Sequence, residues 1–198
     1  MFEEILSYLA PSVRGVEDAL DALELALDAC QETRPWASSG ATLVGRTDRL
    51  AVAARRIAAV QLAFIREVDG RGVAADAGAT STVAWLRDRY RMSGSAASQL
   101  VTLARALDTE ADSPTAAALA AGAVNVEQAR VIADAVAALP VEHRGAGEEH
   151  LVGEAETFGP RELGRLGQRI FEVVAPRNKP WPSWSARSGG PGIAEDCG

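Results

Sequence analysis

Between Thr42 and Asp69 the apolar side chains return every three or four residues: Leu50, Ala54, Ile57, Phe64 and Val68 share one side, with Gln61 among them. That period marks an amphipathic helix, and about 28 residues of it exceeds the usual length in a globular protein. A helix this long either runs across a domain or pairs with another helix, and the spacing leaves both options open. On an ideal wheel Arg55 and Arg66 lie opposite the stripe, while Arg49 and Arg56 flank it. Gly70 and Gly72 supply the stop signal, because glycine closes helices at little steric cost.

Similar periodicity places the other elements. Val16, Leu20, Leu23, Leu27 and Cys30 form one side of a helix whose spacer residues are mostly acidic. Pro35 and Gly40 break the chain after it, and residues 72–80 read as loop from their composition. Thr80 or Ser81 can cap a helix carrying Val83, Trp85, Leu86 and Tyr90, which stops near Arg91. Ser93 can cap the next, with Ala97, Leu100, Leu103, Ala104 and Leu107 on its inner side. Ser113 followed by Pro114 starts a short helix ending at Gly122. Asn125 and Gln128 stand at capping-box spacing before Ala129, Ile132, Val136 and Leu139, and Pro140 closes that segment. Gly159 and Pro160 open a last helix through Leu163, Leu166, Ile170 and Val174.

No run alternates with period two, so the expected fold class is all-α. With 198 residues, 47% of them hydrophobic, the chain can bury a core. The expectation is one multi-helix domain over residues 1–176, with one long central helix. Residues 177–198, rich in Pro, Gly and Ser, are expected to be disordered, with Trp181 and Trp184 as unattached aromatics.

The first residues carry acids where a secretory signal needs positive charge, and no apolar run reaches the roughly 18 residues of a membrane span. Cys30 and Cys197 have no partner at C-x-x-C spacing. A cytoplasmic protein without membrane contact is expected. Charge is distributed unevenly: residues 1–45 carry two Arg and eight acids, residues 46–105 ten Arg and five acids, and residues 106–178 six Arg and twelve acids. A basic block inside an acidic chain can meet nucleic acid locally, or it can pair with its acidic flanks.

The stretch TVAWLRDRYRMSGSAASQLV, residues 82–101, brings this choice to a point. It reads either as a helix-turn-helix that sets its second helix against double-stranded DNA or as two helices packed at a corner. With Ser93 as cap, Leu86, Tyr90, Met92, Ala97 and Leu100 occupy the apolar crossing positions. Arg87 stands where a small residue is usual and Arg91 where the turn glycine is usual; the glycine comes three residues late, as Gly94. In the DNA reading Ser95, Ser98, Gln99 and Arg105 on the second helix face the duplex, and Arg87, Arg89 and Arg91 hold phosphates. In the packing reading the same arginines are solvated charges stabilised by a helix C-terminus. The long helix suggests a second kind of partner, another copy of the chain paired through residues 42–69.

Nothing in the sequence assembles a catalytic group. His143 and His150 lie seven residues apart across Gly145 and Gly147 in an acidic segment read as surface loop, which does not give the one-face pair of a zinc helix. Phosphate-binding and nucleophile-elbow motifs are missing, and Lys179 is the only lysine. The expectation is a protein without catalytic residues, metal or cofactor.

Three separated blocks carry a family likeness: Trp85–Leu86 after a loop, Gly122 through Ala129–Arg130, and Pro160 to Leu163 as P-R-E-L. In order and spacing, residues 15–176 resemble the actinobacterial 13E12 repeat family, domain of unknown function 222. The resemblance implies a helical module of unestablished activity, commonly followed by an HNH endonuclease module whose chemistry resides in downstream histidines and zinc-binding cysteines. No histidine follows His150 and Cys197 stands alone, so the expectation is a truncated copy to which nuclease activity does not transfer.

Overall fold

The computed structural model describes residues 15–107 and 113–175 together with Trp181, and no strand occurs among them. The fold is all-α, as the sequence predicts. The described residues divide into two compact units, with the boundary between Thr47 and Asp48.

In the first unit, α1 spans Val16–Gln31 and a 3-10 turn spans Pro35–Ala37. The α1 stripe is present as read, yet the helix buries none of its residues. Helix α2, Gly40–Gly70, crosses the unit boundary without a break.

In the second unit α2 is followed by α3 (Val73–Asp76), α4 (Thr82–Tyr90), α5 (Gly94–Ala106), α6 (Pro114–Ala121), α7 (Val126–Ala138), α8 (Arg144–Glu154) and α9 (Pro160–Val174). Local chemistry fixes most helix starts, because each start has unsatisfied N–H groups that a short polar side chain can accept from. Ser81 Oγ accepts from Ala84 N at 3.1 Å, Ser93 Oγ from Ala96 N at 3.1 Å, and Ser113 Oγ from Ala116 N at 3.2 Å. At α7 both halves of the capping box form, Asn125 Oδ1 accepting from Gln128 N and Gln128 Oε1 from Asn125 N.

Helix α7 is the centre of the unit and packs on α5, α6, α8 and α9. Its Ala129, Ile132 and Ala135 are buried together with Leu86, Ala97, Val101, Leu119, Leu151 and Leu163. Each fully buried Leu, Ile or Val contributes roughly 1.5–3 kcal/mol of apolar burial. Close approach of α9 to α7 depends on Gly167: a Cβ there would stand 2.6 Å from the Ala135 Cβ.

Two polar side chains tie the core across long sequence distances. Gln128 Nε2 donates to the carbonyls of Ala155 and Phe158, at 2.7 and 3.0 Å, just beyond the end of α8. Buried Glu148 accepts from Ser113 Oγ at 2.6 Å and from Thr115 N at 3.0 Å, and so closes the start of α6. A carboxylate at a helix N-terminus meets unpaired donors and the positive end of the helix dipole.

Several expectations change here. Residues 142–150, read as an acidic surface loop, fall mostly in α8, which buries Gly147, Glu148 and Leu151. Gly145, Gly147 and Gly153 lower its helix propensity, and packing under α6 and α7 outweighs that. Val73–Asp76, also read as loop, makes a helical turn. Tyr90, placed at the helix crossing, is exposed, whereas Val101 is buried in its stead. Trp181 meets Phe171 edge-on at 5.1 Å and packs against the core, so it is anchored within its own chain. The rest of the expected tail, Trp184 included, lies outside the described residues.

Candidate interaction surfaces

Two surfaces of the second unit present chemistry that the core does not consume. One is the corner between α4 and α5. Helix α4 ends at Tyr90, Arg91 follows in the left-handed conformation (φ 55°, ψ 33°), and Ser93 begins α5. Arg91 therefore adopts the backbone shape that a glycine would take in a tight helix-turn-helix, and it is the one non-glycine with positive φ among the described residues. Holding a side chain there costs roughly 1–2 kcal/mol.

The basic groups at this corner have different neighbours. Arg89 stacks over Trp85, its Cζ 5.3 Å from the ring centroid, and Tyr90 meets the same ring edge-on at 6.0 Å. Arg87 Nε donates to Asp88 Oδ1 at 2.9 Å on open surface, where such a pair is worth little. Asp88 also holds the Arg87 guanidinium above its ordinary pKa.

Arg105 makes more bonds, with its side chain still 64% exposed. Its Nε and Nη2 donate to the two Asp69 oxygens at 2.6 and 2.8 Å, and Thr82 Oγ1 adds a third bond to Asp69 at 2.7 Å. These contacts join the end of α2 to the start of α4 and the end of α5. Arg105, and secondarily Thr82, holds the Asp69 carboxyl below the ordinary aspartate range. The guanidinium assigned to DNA by sequence is thus fastened to the fold.

The remaining sequence-predicted site residues separate as well. Ser95 is exposed and its hydroxyl lies 3.0 Å from Ser93 Oγ. Ser98 and Gln99, with Thr102, line a cleft of about 120 Å³ whose other wall includes Arg130 and Asp134. Half-burial pushes the Asp134 carboxyl up, with Arg130 opposing. Arg130 and Asp134 offset one another on that wall, so the cleft offers no net positive charge to a phosphate. Arg87, Arg89, Arg91 and Ser95 therefore remain at the corner, while Ser98, Gln99 and Arg105 belong to other environments.

Helix α2 offers the second surface. Its inner side rests on the unit through Leu62 and Ile65, 3% and 5% exposed, with Ala59 packed beside them. Arg55 Nη1 donates to the Gly122 carbonyl at 3.0 Å, just past the C-terminus of α6, where a cation also meets the negative end of the dipole. Gly122 is left-handed, and a Cβ there would stand 2.8 Å from Val52 Cγ1, so glycine keeps this approach open.

The outer side of α2 carries most of the stripe read from the sequence, and it faces solvent: Leu50 is 54% exposed, Ile57 40% and Phe64 50%, with Val60 beside them at 53%. The arginine-bearing side packs inward instead. Arginine stems are apolar enough to line a core edge while the head group finds a carbonyl, so the wheel alone does not say which side is inner.

No group of three or more His, Cys, Asp or Glu that could hold a metal occurs among the described residues, and no described helix is long and apolar enough to cross a membrane. A family model described as Domain of unknown function (DUF222) matches residues 45–180. No curated protein and no solved structure matches the chain.

Proposed function

The chain belongs to the DUF222 family, as its match over residues 45–180 shows, and we propose that it acts as a non-catalytic, cytoplasmic association module whose docking face is the outer side of α2. The observation that carries this reading is the contrast along one helix: Leu62 and Ile65 are buried, while Leu50, Ile57, Val60 and Phe64 are about half exposed in a row. Contiguous exposed apolar surface of this kind marks an interaction site. Pairing with another copy through residues 42–69 is the form of this reading that the sequence already suggests.

Light scattering over a wide concentration range tests it. Association that rises with concentration and disappears in Leu50→Glu and Ile57→Glu supports the assignment. Association untouched by both changes removes it. Neither substitution falls in the packed side of α2, so helicity should persist.

A second reading places DNA at the α4–α5 corner, as the delivery surface for an HNH nuclease module in longer relatives. The left-handed Arg91 favours it, since an arginine is kept at a costly backbone position in the turn after the helix that carries Arg87 and Arg89. Electrophoretic titration with duplex DNA at two salt concentrations tests this. Binding that weakens with salt and falls in Arg89→Ala and Arg91→Ala supports it, and no retardation at low salt ends it.

A further inference from the structure

We infer that the occupant of the α2 face is a second copy of the chain lying antiparallel, so that Ala53 meets the other copy's Phe64, Ile57 meets its Val60, and Leu50 and Arg49 meet its Glu67. This rests on the association reading above and names the partner and its orientation.

The starting point is spacing. Leu50, Ile57 and Phe64 repeat every seven residues, and Ala53, Val60 and Glu67 follow each of them by three. These are the positions at which one helix meets another along a shared seam. Residues on that seam differ in size and charge from one end to the other. A small Ala53 lies toward its start with a basic Arg49 beside it, and a large Phe64 and an acidic Glu67 lie toward its end.

A parallel copy would stack like on like. Phe64 would face Phe64 and Ala53 would face Ala53, giving a bulge beside a gap, and Glu67 would face Glu67. Overpacking and voids each destabilise an interface core. An antiparallel copy exchanges the two ends, so Phe64 meets Ala53, and Glu67 meets Leu50 with the base Arg49 beside it. A surface complementary to itself after a half-turn is what a two-fold interface requires, with each contact occurring twice.

The flanks agree with this orientation. Arg56, beside the seam, comes opposite Ala63 of the other copy, which leaves room for its stem, and Arg49 approaches Glu67. Glu67 is already held by Arg71 at 2.6 Å and Arg66 at 3.6 Å, yet its side chain is 47% exposed and open to a further cation. Neither Leu62 nor Ile65 falls at a seam position, so the pairing leaves their contacts with the unit in place. Four large apolar side chains per copy cover less than the roughly 800 Å² per partner of a standard interface, so a weak, micromolar dimer is expected.

Spin-label distance measurement decides the orientation. Cys30→Ser and Cys197→Ser remove the native thiols, and Ala51→Cys places one label at an exposed position of α2 off the seam. Antiparallel pairing separates the two labelled backbones by about 25 Å, since 15 residues of helix rise intervene, whereas parallel pairing brings them to about 10–15 Å. The expected result is a concentration-dependent distance near the longer value that Ile57→Glu abolishes. The shorter distance overturns the antiparallel assignment and leaves self-association intact. A monomer at all concentrations overturns both, as does a dimer that Ile57→Glu leaves unchanged.

Discussion

Helices α7 and α2 are both amphipathic by sequence, and the structure uses them in opposite ways. Of the 13 residues of α7 six are buried, and of the 31 of α2 only two. In α7 the apolar stripe through Ala129 and Ile132 enters the core, enclosed by four neighbouring helices. In α2 the corresponding stripe through Leu50, Ile57 and Phe64 stays outside, and two residues between its arginines do the packing. A hydrophobic stripe records that a surface avoids water; it does not say whether the cover comes from the same chain.

The largest expected effect breaks that comparison directly. Ile132→Ala should cost about 2–5 kcal/mol, since Ile132 is fully enclosed and its removal leaves a cavity. Ile57→Ala should cost well under about 1 kcal/mol at dilute protein, because the side chain already meets solvent there. Urea unfolding followed by circular dichroism measures both. Equal losses would show that the α2 stripe is part of the folded core.

Asp69 sharpens the comparison at the place where α2 does join its unit. Asp69→Ala removes the acceptor for Arg105 and Thr82 and should cost about 1–3 kcal/mol near neutral pH. Because the folded carboxyl titrates below its unfolded value, its contribution is complete above the ordinary aspartate range, about 4, and is lost as pH falls through the lowered value. The gap between parent and variant should therefore close in acid. A gap constant down to pH 2 would remove the ion pair from the account.

The smallest effect has the opposite sign. Arg91→Gly relieves a left-handed backbone and should stabilise the protein by up to about 1 kcal/mol, while removing one charge from the α4–α5 corner. Thermal unfolding reads the gain, and a loss of stability would mean that the Arg91 side chain supports the corner. Paired with the DNA titration, the same variant separates strain from binding.

Features set by short-range chemistry were legible in the sequence. Ser81, Ser93, Ser113 and the Asn125–Gln128 box cap helices where the sequence predicts, because the groups involved lie within three residues of each other. Features set by distant partners were not. Helix α8 carries three glycines and owes its order to neighbours such as α6, which Glu148 clamps from 33 residues away. The inner side of α2 was hidden for the same reason, since Arg55 looks like a surface charge until the Gly122 carbonyl stands beside it. At the α4–α5 corner the sequence flagged Arg91 as occupying a glycine's place, and the backbone agrees. Nothing local could have shown that Asp69, 36 residues before Arg105, would claim that guanidinium.

Sedimentation equilibrium of the full chain beside its Ile57→Glu variant is the most direct test of the claim that α2 keeps its apolar side for a partner. The account predicts a mass that rises from monomer toward dimer over micromolar concentrations in the parent and stays monomeric in the variant, with unchanged helicity. A parent that remains monomeric throughout, or a variant that dimerises equally well, would contradict it.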